Sequence, residues 1–269
     1  MPTVQANDIS LYYEIYGAEH AETLLLINGV GQWHQAWWRN VGPLGEHLRV
    51  ITFDNRGIGS SDKPDIPYTL DMMAEDTLGL LDALKVERAH VLGHSLGGGI
   101  ALFMARKAPD RIQSLILAST LYWGPKVAMP SERAMQVLQD RSGDPLELVK
   151  RGIRIAAAEG FEEHDPEGFQ KLIDLRFNSQ QTPNLYVRQS QAGLPYLQAD
   201  HITDIVPDVP VLLLVGELDE VAPPTNSEAI KAAWPHAQLI EIAGAGHLFN
   251  IEKPAESHRV ILDFIHGQS

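Results

Sequence analysis

The residues best suited to chemistry are Gly93-His94-Ser95-Leu96-Gly97. The apolar run Arg88 to Leu92 precedes them, and helical spacing at Ile100, Leu102, Phe103 and Met104 follows. A serine in that context, with glycine two residues away on each side, predicts a sharp strand-to-helix turn holding its hydroxyl clear of the sheet. Such a turn strains the serine backbone, and side chains at 93 and 97 would collide with the neighbouring strand and helix. The hydroxyl becomes a nucleophile for acyl transfer once a base takes its proton. The same turn leaves the Leu96 N–H at a helix N-terminus, where a free donor and the positive end of the helix dipole meet developing negative charge.

The partners are expected downstream, in the order acid then histidine. Pro210 to Val215 is an apolar strand followed by Gly216-Glu217-Leu218-Asp219, and Leu239 to Ile242 is followed by Ala243-Gly244-Ala245-Gly246-His247. Both loops leave the C-terminal ends of predicted parallel strands, the edge at which open α/β sheets bind ligands. His247 is the expected base, and Asp219 the acid that fixes its tautomer and stabilises its protonated form. Glu217 is the alternative acid and Glu220 follows the same strand, whereas Asp204 and Asp208 precede it and fall at the opposite edge. Asn28-Gly29-Val30-Gly31 follows the apolar run Thr23 to Ile27 at the favoured edge. The N–H groups of Val30 and Leu96 are the expected oxyanion hole; a plain glycine turn is the competing reading of residues 28–31.

The elements that must position these groups can be read from periodicity. Strands are expected at Ile9–Tyr16, Thr23–Ile27, Arg49–Phe53, Arg88–Leu92, Ser114–Ala118, Pro210–Val215 and Leu239–Ile242. Helices are expected over Asp71–Leu84, capped by Thr69 or Asp71, and over Gly93–Lys107. A loop and a helix should carry Trp33, Trp37 and Trp38 onto the sheet. The alternation predicts an α/β fold with a mostly parallel sheet covered on both faces. It fails from about Thr120 to about Ile202, where helices are expected at Glu132–Gln139, Pro145–Ala158, Glu167–Phe177 and Pro183–Ala192.

Taken together, N-G-V-G at 28–31, D-N-R-G-I-G-S-S at 54–61, G-H-S-L-G-G at 93–98, G-E-L-D at 216–219 and G-H at 246–247 resemble the α/β-hydrolase superfamily, in particular its small esterases, enol-lactonases and carbon–carbon bond hydrolases. The resemblance implies an α/β-hydrolase fold with core segments 1–120 and 203–269. Residues 121–202 are implied to form a helical cap, inserted after the sixth strand, that roofs the site and excludes water. It implies Ser95 as nucleophile, Asp219 as acid, His247 as base, and a structural role for Asp54 and Arg56. The family commonly has His-Gly where this chain has Asn28-Gly29. Pocket candidates are Trp33, Trp123, Met129, Phe161, Phe177, Tyr186, Tyr196 and Leu248; the competing expectation for each is packing of cap on core.

The implied activity is hydrolysis of a carboxylic ester or lactone through an acyl-enzyme. A carbon–carbon bond beside a ketone and a slow or non-catalytic receptor are the alternatives. Serine rather than aspartate at 95 disfavours dehalogenase and epoxide hydrolase chemistry in this group.

Composition narrows the partners. The 269 residues are 44% hydrophobic and carry 21 basic against 35 acidic side chains, a net charge of −14. That balance argues against nucleic acid and anionic membranes as partners, but not against an acidic small molecule. With no cysteine there is no disulfide and no thiolate site. No H-E-x-x-H spacing occurs, so no metal is expected. Gly57-Ile58-Gly59 lacks the remainder of a dinucleotide fingerprint, Asp62 standing at its last position, and no cofactor is expected. No leader or apolar span is apparent, which makes a soluble cytoplasmic protein of undetermined oligomeric state the expectation. Gly267 to Ser269 reads as a short polar tail.

Overall fold

The computed structural model describes residues 2–140 and 142–267; the last two residues of the expected tail lie outside them. Eight strands form one sheet in the order β1-β2-β4-β3-β5-β6-β7-β8. They are β1 (Thr3–Ala6), β2 (Ile9–Tyr16), β3 (Thr23–Ile27), β4 (Arg49–Phe53), β5 (Ala89–His94), β6 (Ile112–Ala118), β7 (Val211–Gly216) and β8 (Gln238–Ile242). From β4 to β8 every pairing is parallel, while β1–β2 and β2–β4 are antiparallel. Strand β1 escaped the periodicity. Its signal is Asn7-Asp8, both at positive φ, which closes a two-residue hairpin onto β2.

The sheet core explains the unbroken apolar runs. In β3, Leu25 and Ile27 join the core on one face while Leu24 and Leu26 join the other, as expected where both faces are covered. Helices α2 (Leu70–Ala83), α3 (Leu96–Lys107) and α10 (Thr225–Ala233) pack on the first face. Helices α1 (Val41–Gly45) and α12 (Pro254–His266) pack on the second. Thr69 caps α2 by accepting the Met72 N–H at 3.1 Å. The expected helix from Gly93 starts instead at Leu96, because Gly93 and His94 complete β5.

Residues between β6 and β7 form the inserted helical region. It holds α4 (Glu132–Gln139), α5 (Pro145–Ala156), α6 (Phe161–His164), α7 (Pro166–Asn178), α8 (Pro183–Gln191) and α9 (His201–Asp204). The helix expected to run to Ala158 ends at Ala156, since Ala157 turns extended and the Ala158 N–H is taken by the Glu252 carboxylate at 2.7 Å. Ile153, Phe161, Phe169, Leu172 and Ile173 of this region share one apolar cluster with Leu248 and Ile251. A last short helix, α11 (Phe249–Glu252), follows His247 directly.

Candidate active site

The turn from β5 into α3 is strained in the way its glycines suggest. Ser95 sits at φ 55°, ψ −120°, a conformation that costs a side-chain-bearing residue about 1–3 kcal/mol. A Cβ on Gly93 would lie 2.1 Å from the Gly97 carbonyl oxygen, and one on Gly97 would lie 2.3 Å from that of Ile27. Serine is a favoured helix N-cap, and Ser131, at the start of α4, caps its helix through its hydroxyl. Ser95 stands at the N-cap of α3 yet makes no such bond. Its backbone is fastened instead: its N–H donates to Ala118 O at 2.8 Å, and its carbonyl accepts the Thr120 hydroxyl at 2.7 Å.

Asp219 and His247 converge at the same sheet edge. His247 Nδ1 lies 2.8 Å from Asp219 Oδ2, and both residues are buried. A carboxylate only accepts, so Nδ1 is the donor, and in the neutral ring that tautomer leaves the lone pair on Nε2. The other Asp219 oxygen accepts the N–H groups of Val221 and Ala222, each at 2.8 Å, which fixes the carboxylate plane. The neighbouring acids face elsewhere. Glu217 accepts the Gly244 N–H at 2.8 Å, and Glu220 pairs with Ser131.

His94, immediately before Ser95, links the elbow to the histidine loop. Its ring centroid is 4.8 Å from that of His247, and its Nε2 lies 2.8 Å from the His247 carbonyl oxygen. Burial, then the adjacent His247, pull the His94 pKa down from 6.5 to about 3. The loop is held from its other side by Glu252, whose carboxylate accepts the Gly246 N–H at 3.0 Å as well as that of Ala158. Burial raises the pKa of that carboxyl.

The Asn28–Gly31 loop lies against the elbow. A Cβ on Gly29 would approach Ser95 Cβ to 2.9 Å. Among the described residues neither the Val30 nor the Leu96 N–H has a protein acceptor. Asn28 donates to Phe53 O at 3.4 Å, and its carbonyl accepts from Asn55 at 3.0 Å, while its side-chain oxygen has no partner among the described residues. Asp54 and Arg56 brace the adjoining loop. Asp54 accepts the His34 and Ser60 N–H groups, each at 2.8 Å, and Arg56 forms a buried pair with Asp76.

The pocket candidates separate by position. Tyr186 lies over Gly31. Trp33 is buried against Ile58 and Leu175, its indole N–H on Leu175 O at 3.1 Å. Trp123 is sandwiched between Gly99 and Gly193 and bonds Thr120 Oγ1, itself bound to Ser95 O. Phe161 and Leu248 pack together behind His247. Tyr196 is placed elsewhere, its ring on Phe103 and its hydroxyl on Asp71 at the outer side of α2 and α3. Met129 and Phe177 are 49% and 54% exposed. Two residues of the inserted helices that the sequence did not single out, Arg176 and Gln189, both touch Gly31. Among the described residues no three acidic or histidine side chains group as metal ligands would, and no helix is long and apolar enough to cross a membrane.

A relative in Serratia proteamaculans, provisionally named carbamate hydrolase RutD, is 28% identical over 262 residues, covering 95% of this chain and 96% of the relative. The enol-lactonase structure from Burkholderia xenovorans LB400 superposes with a TM-score of 0.82 at 26% identity, covering 98% of this chain and all of its own. A thermophilic esterase from Thermogutta terrifontis, with malate bound, gives 0.83 at 26% identity over 100% of this chain and 99% of that one. The family model described as alpha/beta hydrolase fold matches residues 22–254. The chain therefore belongs to the α/β-hydrolase fold family.

Proposed function

We propose that this hydrolase cleaves a carboxylic ester or lactone through an acyl-enzyme on Ser95. The observation that carries the reading is a strained, uncapped serine at the same sheet edge as a histidine whose Nδ1 is held 2.8 Å from a buried carboxylate. His247 takes the Ser95 proton as the oxygen attacks the carbonyl carbon. The tetrahedral oxyanion is met by the N–H groups of Val30 and Leu96. Collapse expels the alcohol, which receives the proton from His247. Water, deprotonated by the same ring, then releases the acid. Asp219 holds the tautomer and stabilises the imidazolium. Residues 121–202 serve as a cap, with Tyr186 and Trp123 the aromatics that reach the elbow region. The named relatives bring lactones, esters and carbamates into the substrate range, all acyl compounds suited to one nucleophile.

The test is turnover of chromogenic short-chain esters, lactones and aryl carbamates by wild type and Ser95→Ala, with a fluorophosphonate to label the nucleophile. Turnover is expected to fall at least ~10³-fold in the variant, and the label to map to Ser95 in wild type only. Undiminished turnover in Ser95→Ala sinks the reading. Slow ligand binding without a steady state in wild type favours a receptor instead.

A further inference from the structure

We infer that Gln189, assisted by Arg176, is a positioning residue by which the cap sets the oxyanion loop. The inference rests on the proposed role of the Val30 N–H. Gln189 lies on α8 and is fully buried, 158 residues from the loop it contacts. Its Oε1 accepts the Gly31 N–H at 3.0 Å and the Gln181 amide at 2.8 Å, while its Nε2 donates to Arg56 O at 2.8 Å. Arg176 on α7 donates to the Gly31 carbonyl oxygen at 2.7 Å. Both backbone polar groups of Gly31 are thus bonded to cap side chains, one accepting and one donating.

Only an uncharged amide satisfies this arrangement without leaving a buried group unpaired. Gly31 is at φ 68°, and a Cβ there would fall 2.0 Å from an Arg176 guanidinium nitrogen and 3.0 Å from the Tyr186 ring. The loop residue is therefore shaped to let the cap come down on it. Val30, whose N–H lacks a protein acceptor, precedes Gly31 directly. The peptide plane joining the two residues carries the Gly31 N–H, so fixing it fixes the backbone next to the Val30 donor. A donor displaced from its aim loses transition-state stabilisation while leaving ground-state binding nearly intact.

The test uses a neutral chromogenic ester and an alkyl boronic acid. The boronic acid adds the serine oxygen to boron and places an anionic oxygen at the oxyanion hole. Gln189→Met, close to isosteric, removes the acceptor and is expected to lower kcat ~10-fold, less than the loss of a whole oxyanion donor. It should weaken boronate inhibition by a similar factor, with KM within about twofold. Should Gln189→Met fail to fold, judged by near-UV dichroism, the partly exposed Arg176→Met probes the carbonyl half with the same readouts. Unchanged kcat and boronate affinity, or a change in KM alone, overturns the inference. Ser95→Ala is run in parallel: if it retains turnover, the acyl-enzyme reading fails first.

Discussion

His94 occupies the position in the elbow where side-chain identity matters for something other than turn geometry. Its ring is buried, tilted against that of His247 and bonded to the His247 carbonyl, so it reports on the integrity of the site through the pH dependence of stability. The unfolded chain takes up a proton at this residue near pH 6.5, whereas the folded protein resists until about pH 3. Between those values the unfolded state holds more protons, and stability falls as the pH is lowered. From pH 7.5 to pH 5 the loss from this one group is about 2 kcal/mol. His94→Gln deletes the titration while keeping a donor for the carbonyl. The expected result is a melting temperature that drops ~4–8 °C less than wild type over that interval. Parallel pH profiles for the two proteins would show that His94 is not held neutral.

At the scale of the element, the elbow is a collision avoided at two backbone atoms. Neither the Gly97 nor the Ile27 carbonyl can retreat without breaking strand or helix, so Gly93→Ala should cost about 3 kcal/mol or more. Gly42 in α1 is the control, since a Cβ there meets nothing within 4 Å. Gly42→Ala should leave stability unchanged or raise it by up to ~1 kcal/mol. Equal losses in the two variants, measured by urea unfolding, would remove the steric account of the motif.

The same locality explains what was legible from sequence. Ser95 and Asp219 follow buried strands and His247 follows the edge strand β8, each by a few residues at most, so strand pattern and loop chemistry put them at one edge before any coordinates. Helix and strand ends drifted by one to three residues where a tertiary partner decides them, as Glu252 does by taking the Ala158 N–H. Gln189 and Arg176 were invisible because their work is done across more than a hundred residues of chain. Tyr196 and Tyr186 looked alike as cap aromatics, yet one anchors on Asp71 and the other covers Gly31; composition holds no information on that difference.

The whole molecule is joined where its site is. Leu248, next to His247, and Ile251, within α11, belong to the apolar cluster of α5 to α7. Around that cluster, Arg39 pairs with Asp165 at 2.6 Å and donates to Ile251 O at 2.7 Å, and the Leu248 N–H donates to Ala156 O at 3.1 Å. The inserted helices therefore have no separate core on this side: unfolding them exposes Ile251 and Leu248, which loosens the His247 loop. That predicts one cooperative thermal transition, with calorimetric and van't Hoff enthalpies equal within error, and loss of hydrolase activity superimposed on loss of helical dichroism. Ile251→Ala should lower the melting temperature of the single transition, by about 2–5 kcal/mol of stability, without splitting it. Two resolved transitions, with activity lost in the first while the sheet persists, would mean that the inserted helices detach as a unit. The contacts around Leu248 and Ile251 would then be too weak to couple the inserted helices to the His247 loop.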